Sequence, residues 1–140
     1  MGQVAPGFST TELNMLWASA VLGIVYLLAA VLPSVAGRGL PWALGPRDEP
    51  AADIGKIGGR LDRAWKNFRE TFPIFIVAII ADMSLRGGSE LGALGAQLYF
   101  WGRVAFLPIY AIGLPVVRTL AWTVSLAGIV LLLYASMPTF

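Results

Sequence analysis

Residues 60–73 read RLDRAWKNFRETFP, and the apolar run FIVAIIA follows at residues 75–81 without a break in helical pattern. This run alone is too short to cross a bilayer, which takes about 20 largely apolar residues, so the charged stretch is expected to belong to the same helix. Charges at membrane depth cost about 2.5 to 3.5 kcal/mol each on insertion scales, and they usually face a protein interior or a wet cavity. The segment therefore predicts both a spanning helix and the position of a functional site.

The composition of the 140-residue chain indicates an integral membrane protein, because 57% of its residues are hydrophobic and only 13% are charged. The mean hydropathy is +0.73, whereas about a quarter of the residues in a soluble domain are charged. The segments that reach spanning length are residues 11–36, 59–85, 89–112 and 115–137. We therefore expect an all-α fold, an antiparallel four-helix membrane bundle, with residues 1–140 as one domain.

Cysteine and histidine are both absent from the chain. The protein therefore has no thiol nucleophile, no disulfide and no imidazole, which are the groups that nucleophilic hydrolases and most transition-metal sites require. The composition excludes histidine-dependent hydrolysis, and no metal site is expected.

The connections between the predicted helices indicate the orientation in the membrane. Basic residues concentrate in and just after residues 37–58, and lysine and arginine favour the cytoplasmic side. Both termini are then expected outside the cytoplasm. Gly87 and Gly88 predict a turn with Ser89 as N-cap, and Pro115 suits the first position of the last helix. The first helix is expected to be retained, since nothing basic precedes Leu13 as in a signal peptide.

Helical spacing brings polar side chains of three predicted helices to one level. They are Arg60, Arg63, Asn67 and Glu70 on the second helix, Tyr99, Arg103, Phe106 and Tyr110 on the third, and Arg118 on the fourth. Residues three and four apart share a helix face. The pattern predicts a cationic pocket with an amide, a phenol and one carboxylate, which suits a small polar anion that also carries an amine.

Structural explanations exist for several of these residues. Glu70 and Arg103 could form a buried pair between two helices, while the other cations could snorkel to phosphates. The remaining candidates for structural roles are Arg63, Lys66 and Arg69 as snorkelling cations, Pro73 and Pro108 as kinks, Gly88, Gly92, Gly95 and Gly102 as packing positions, and Trp17, Trp42 and Trp122 as interface anchors or packing residues.

The chain resembles the MAPEG superfamily in the run Arg63-Ala64-x-x-Asn67-x-x-Glu70-x-x-Pro73. It is also similar to that superfamily in an arginine and a tyrosine on the third helix and an arginine that opens the fourth. These are membrane-associated proteins in eicosanoid and glutathione metabolism, and the chain is similar to bacterial-type members over essentially its whole length. The resemblance implies a homotrimer that binds glutathione as a cosubstrate between neighbouring subunits. It also implies contact with membrane lipids and a lipophilic small-molecule substrate, and no nucleic-acid partner is expected.

The resemblance also implies roles for individual residues. Arg63, Asn67 and Glu70 would hold glutathione, and Arg103 would support them. The Tyr110 hydroxyl would contact glutathione, and Arg118 would stabilise its thiolate. The catalytic candidates are Arg118, Thr119 and Tyr110. A nearby guanidinium lowers the pKa of a thiol from its usual value of about 8.5. Leukotriene-synthase-like members have tyrosine at the positions of Phe106 and Thr71 and glutamine at that of Trp65, whereas Thr71 and Thr119 are similar to prostaglandin-synthase-like members.

These observations favour a membrane glutathione transferase or peroxidase that acts on a lipophilic electrophile. The alternative is a non-catalytic membrane scaffold that binds lipid or glutathione. Arg118 and Tyr110 favour catalysis, and Phe106 and Thr71 keep the scaffold open. A transporter or channel subunit is disfavoured because no helix is interrupted by a Gly/Pro pair at its middle, as in many transporters.

Overall fold

The computed structural model describes residues 10–48 and 53–138, and the regular secondary structure within them is helical. The elements are α1 (Thr10–Arg38), α2 (Leu40–Leu44), α3 (Gly55–Arg86), α4 (Glu90–Ile112) and α5 (Pro115–Ala135). The predicted all-α fold is confirmed, and the charged stretch and the FIVAIIA run share α3. The expected loop at residues 37–58 was wrong in two respects, because it contains the short helix α2 and because α3 begins at Gly55.

Two of the described helices, Thr11–Arg38 and Pro115–Ala135, are long and apolar enough to cross a membrane. Spanning by α3 and α4 stays a prediction, because the charged and polar residues of these helices lower their hydropathy. Large apolar side chains nevertheless face outward on all four long helices, including Trp17, Val77, Trp101 and Val116. Such extensive apolar surface marks contact with lipid or with another protein chain.

The closest helix packing joins α4 to α5 through glycine. A Cβ atom at Gly95 would lie 2.6 Å from the carbonyl oxygen of Gly128, and one at Gly102 would lie 3.0 Å from the backbone nitrogen of Ser125. These contacts confirm the packing role predicted for Gly95 and Gly102. Gly92 differs, because a Cβ there would meet the carboxylates of Glu12 and Asp82 rather than a facing backbone.

Gly95→Ala is expected to destabilise the protein by about 1 to 3 kcal/mol, because an added methyl group would force the two backbones apart. Gly37→Ala is the matched control, since its nearest neighbour would be an Ile54 methyl at 3.6 Å, an ordinary contact. Unfolding in mixed detergent micelles measures both. A Gly95→Ala protein as stable as wild type would contradict the packing.

The predicted turns are confirmed. Ser89 caps α4 by accepting a 2.9 Å hydrogen bond from the backbone N–H of Gly92, and Pro115 opens α5. Gly87 ends α3 with a φ of 71°, and Gly113 ends α4 with a φ of 88°. These left-handed conformations explain why glycine stands at both helix ends.

Glu12 and Asp82 lie with Ser89 at the α3–α4 turn, and both carboxylates are fully buried. The Ser89 hydroxyl donates to Asp82 Oδ2 at 2.9 Å, and the Ser89 backbone N–H lies 3.4 Å from Glu12 Oε1. Negative charge is favoured at the N-terminus of a helix, here that of α4. The two carboxylates therefore tie α1 and α3 to the start of α4.

Cysteine labelling tests the orientation, and the chain needs no prior cysteine removal because it contains none. Asp48 and Glu90 are exposed and flank the 32-residue helix α3 in the sequence. In intact cells, Glu90→Cys should react with an impermeant maleimide, whereas Asp48→Cys should react only after permeabilisation. The reverse pattern would contradict the predicted cytoplasmic position of the first connection.

Candidate functional site

Arg103 lies at the centre of the site and is fully buried. Its Nη1 donates to Asn67 Oδ1 at 2.7 Å, and its Nη2 donates to Thr71 Oγ1 at 2.8 Å. The Tyr26 hydroxyl donates to the backbone carbonyl of Arg103 at 2.6 Å. These bonds connect α1, α3 and α4. They also make the burial of the Arg103 charge tolerable, since a buried charged group must be hydrogen-bonded.

The suggested buried pair of Glu70 with Arg103 was wrong. Glu70 is exposed, and Asn67 and Thr71 accept the hydrogen bonds of Arg103 Nη1 and Nη2. The physical reason is helix geometry: Asn67 and Thr71 are four residues apart and face the same neighbour, whereas Glu70 is turned about 100° from Thr71.

Beside Asn67 lies a cavity of about 240 Å³, here named the Arg118 pocket. It is lined by Asn67, Phe106, Tyr110, Arg118, Thr119 and Trp122. The Arg118 guanidinium carbon stands 4.6 Å from the centre of the Tyr110 ring, a distance at which a cation is attracted to the ring face. This set of lining residues contains a cation, an amide and a phenol but no carboxylate, so the pocket suits an anionic or acceptor-rich group.

Two α5 residues of this pocket, Thr119 and Trp122, have surroundings that the sequence did not indicate. The Thr119 hydroxyl donates to the Pro115 carbonyl at 2.9 Å, so its proton is already used within the helix. Trp122 packs against the core cluster that contains Phe106, in keeping with its expected packing role, and it also forms part of the pocket wall. Its indole N–H is buried and has no hydrogen-bond partner among the described residues. Its position four residues after Arg118 is the signal that could have placed it in the pocket.

The rest of the predicted polar face of α3 lies outside the Arg118 pocket. Arg63 and Glu70 are exposed, and Arg63 lines a separate cavity of about 410 Å³ together with Lys56 and Arg60. Arg60 donates to the carbonyl groups of Ala111 at 3.2 Å and Ile112 at 3.1 Å. Arg60 thus caps the C-terminal end of α4, where cations are favoured.

Two tryptophans near this end of the molecule are paired with arginine. The guanidinium carbons of Arg38 and Arg47 stand 4.4 Å and 5.0 Å from the ring centre of Trp42. Arg69 stands 5.3 Å from the ring centre of Trp65. Neither tryptophan lines the Arg118 pocket.

The Arg118 pocket brings together four of the predicted site residues, Asn67, Tyr110, Arg118 and Thr119. Arg103 lies directly behind Asn67 and is bonded to it.

Comparison with models of known protein families matches residues 15–137 to the MAPEG family. No curated protein and no solved structure matches the chain. The matched range reaches into all four long helices and includes every residue of the Arg118 pocket. The chain therefore belongs to the MAPEG family.

Proposed function

We propose that this protein is a membrane-bound glutathione transferase or peroxidase. The observation that carries the proposal is the Arg118 pocket, a cavity of about 240 Å³ that offers Arg118, Asn67 and Tyr110 to a ligand without a carboxylate among its lining residues. Such a pocket favours the anionic thiolate form of glutathione over the neutral thiol. Membership of the MAPEG family supports a membrane-bound glutathione enzyme or a related role.

Arg118 is the residue proposed to stabilise the thiolate. A free thiol has a pKa of about 8.5 and is mostly protonated at neutral pH, and a neighbouring guanidinium favours the ionised form. Tyr110 holds the guanidinium through its ring face at 4.6 Å and can add a hydroxyl contact. The chain has no cysteine, so the reacting sulfur must come from glutathione.

The proposed reaction begins when the thiol proton leaves to water and the sulfur attacks the electrophile. In conjugation a carbon–sulfur bond forms, and the leaving group departs with its bonding electrons. With a hydroperoxide the sulfur bonds to the terminal oxygen, the O–O bond breaks, and the alkoxide takes a proton from water and leaves as the alcohol. A second glutathione then attacks the sulfenic acid so formed, which gives glutathione disulfide and releases water. The lipophilic acceptor would reach the pocket from the bilayer, across the apolar surface of the helices.

A homotrimer is part of the proposal, with glutathione bound between subunits. Arg63 and Glu70 are exposed on α3 in the single chain, on the same helix as the exposed apolar residues Ile74 and Val77. A second subunit covering this surface would bring the two charges into contact with the ligand, where Glu70 can accept from its ammonium group. We place the protein as a multi-pass protein in a bacterial inner membrane, with both termini outside the cytoplasm.

Turnover in detergent tests the function directly. Purified protein should conjugate glutathione to a chloronitrobenzene or reduce a lipid hydroperoxide, with rates that saturate in glutathione. Lys66→Ala is the control, since Lys66 is exposed and lies outside the lining of the Arg118 pocket. Absence of glutathione binding would reject the proposal.

Two observations favour a non-catalytic glutathione- or lipid-binding scaffold as the second candidate. Phe106 gives the pocket an apolar ring without a hydroxyl, and the Thr119 proton is committed to Pro115. A scaffold would bind glutathione without turnover of any electrophile, so the same assays distinguish the two candidates.

A further inference from the structure

Arg103 is a buried cation whose neighbours are neutral. Besides Asn67 and Thr71, the guanidinium carbon lies 5.6 Å from the Tyr99 ring centre and 5.2 Å from that of Phe106. The Nε atom is buried and has no hydrogen-bond partner within the described residues. A buried charge that is balanced only by dipoles and ring faces is costly. An anion bound nearby would lower that cost.

The contact with Arg103 also determines how Asn67 faces the Arg118 pocket. A guanidinium only donates hydrogen bonds, so the atom of the Asn67 carboxamide that faces it must be the oxygen. The 2.7 Å bond therefore uses the acceptor of Asn67. Since the half-buried Asn67 also lines the pocket, its remaining polar atom, the amide nitrogen with two donors, is the one available to a ligand.

We propose that Arg103 is a positioning residue, which fixes Asn67 as a hydrogen-bond donor toward the Arg118 pocket and makes the pocket select an anionic acceptor group of its ligand. The identity of that ligand, glutathione, rests on the proposed function. Arg103 acts through Asn67 and through its own unpaired charge. Because the neighbours of Arg103 are neutral, the ligand-free protein is less stable than it would be with a carboxylate beside Arg103, and the unpaired charge attracts an anionic ligand.

Asn67→Asp separates these two effects because it changes one amide into a carboxylate of nearly the same shape. The new carboxylate would pair with Arg103, so the ligand-free protein should gain stability, with its thermal unfolding midpoint raised by about 2 °C or more. The same substitution removes the donor and repels an anion. Glutathione affinity should therefore fall by about 10-fold or more.

The control is Asn14→Asp, at an exposed asparagine on α1, which should change neither quantity. A simple structural role for Asn67 predicts that stability and affinity fall together. A lowered thermal unfolding midpoint in Asn67→Asp would overturn the claim that the charge of Arg103 is unpaired. An unchanged glutathione affinity would overturn the donor role of Asn67.

Arg103→Lys supplies a second test, since an ammonium keeps the charge without the planar fork that reaches both Asn67 and Thr71. The KM for glutathione should rise about 10-fold while kcat at saturation changes less than threefold. An unchanged KM would overturn the positioning role. If the wild-type protein does not bind glutathione, the proposed function is rejected. The Arg103–Asn67 geometry is still tested in that case, because the unfolding midpoint of Asn67→Asp is measured without glutathione.

Discussion

Replacing Arg118 with alanine is expected to lower kcat for glutathione conjugation by about 10²- to 10³-fold, the loss found when one preorganised donor to a developing anion is removed. The guanidinium stands on the Tyr110 ring in the wall of the Arg118 pocket, so it acts on the charge of the bound sulfur. Glutathione affinity should change far less, because other groups are proposed to hold the tripeptide.

Ultraviolet absorbance of the bound thiolate checks this prediction. In Arg118→Ala the signal should be lost at neutral pH and return as the pH rises toward the thiol's own pKa of about 8.5. Arg118→Lys should recover only part of the rate, since an ammonium is a point charge. Arg86→Ala serves as control, because Arg86 donates to the Met137 carbonyl at the other end of α3. Wild-type turnover in Arg118→Ala would contradict the catalytic role.

Glu70→Ala is expected to weaken glutathione binding by about 2 to 5 kcal/mol, because it removes one partner of a charged contact that a neighbouring subunit would bury. Glu70 is exposed in the single chain, so the size of the loss depends on assembly as well as on charge. Calorimetry measures the affinity, and native mass spectrometry shows whether the variant still forms trimers.

Glu90→Ala is the matched control, since Glu90 is an exposed glutamate in the first turn of α4. A stable wild-type monomer, or wild-type affinity in Glu70→Ala, would argue against a ligand site shared between subunits. A loss of trimer in Glu70→Ala alone would assign this carboxylate to assembly instead.

The helices and their ends could be predicted from local sequence, because apolar runs and helix-end residues act over a few positions. Ser89, Gly113 and Pro115 stand where capping rules place them. The short helix α2 was missed, since five residues carry no periodic signal and the segment is rich in glycine and proline. Likewise, the burial of Glu12 against Ser89 depends on a contact between residues 77 positions apart, which no local pattern contains.

The candidate site could be predicted in part, because helical spacing shows which residues share a face but not which neighbour that face meets. Asn67, Tyr110 and Arg118 do meet in one pocket. Partner choice failed at Arg103, where a carboxylate was one expectation and an amide and a hydroxyl are found. Arg60 was expected on the polar face of the pocket, but it donates to the carbonyl groups at the end of α4. That contact depends on how α3 packs against α4, which helical spacing does not show.

Calorimetric titration of the wild-type protein with glutathione tests whether the Arg118 pocket holds glutathione as a thiolate. At pH 7, in buffers of different ionisation enthalpy, we expect saturable binding with release of roughly one proton per bound glutathione, since the free thiol is mostly protonated. Binding without proton release, or no binding, would contradict a bound thiolate in the Arg118 pocket.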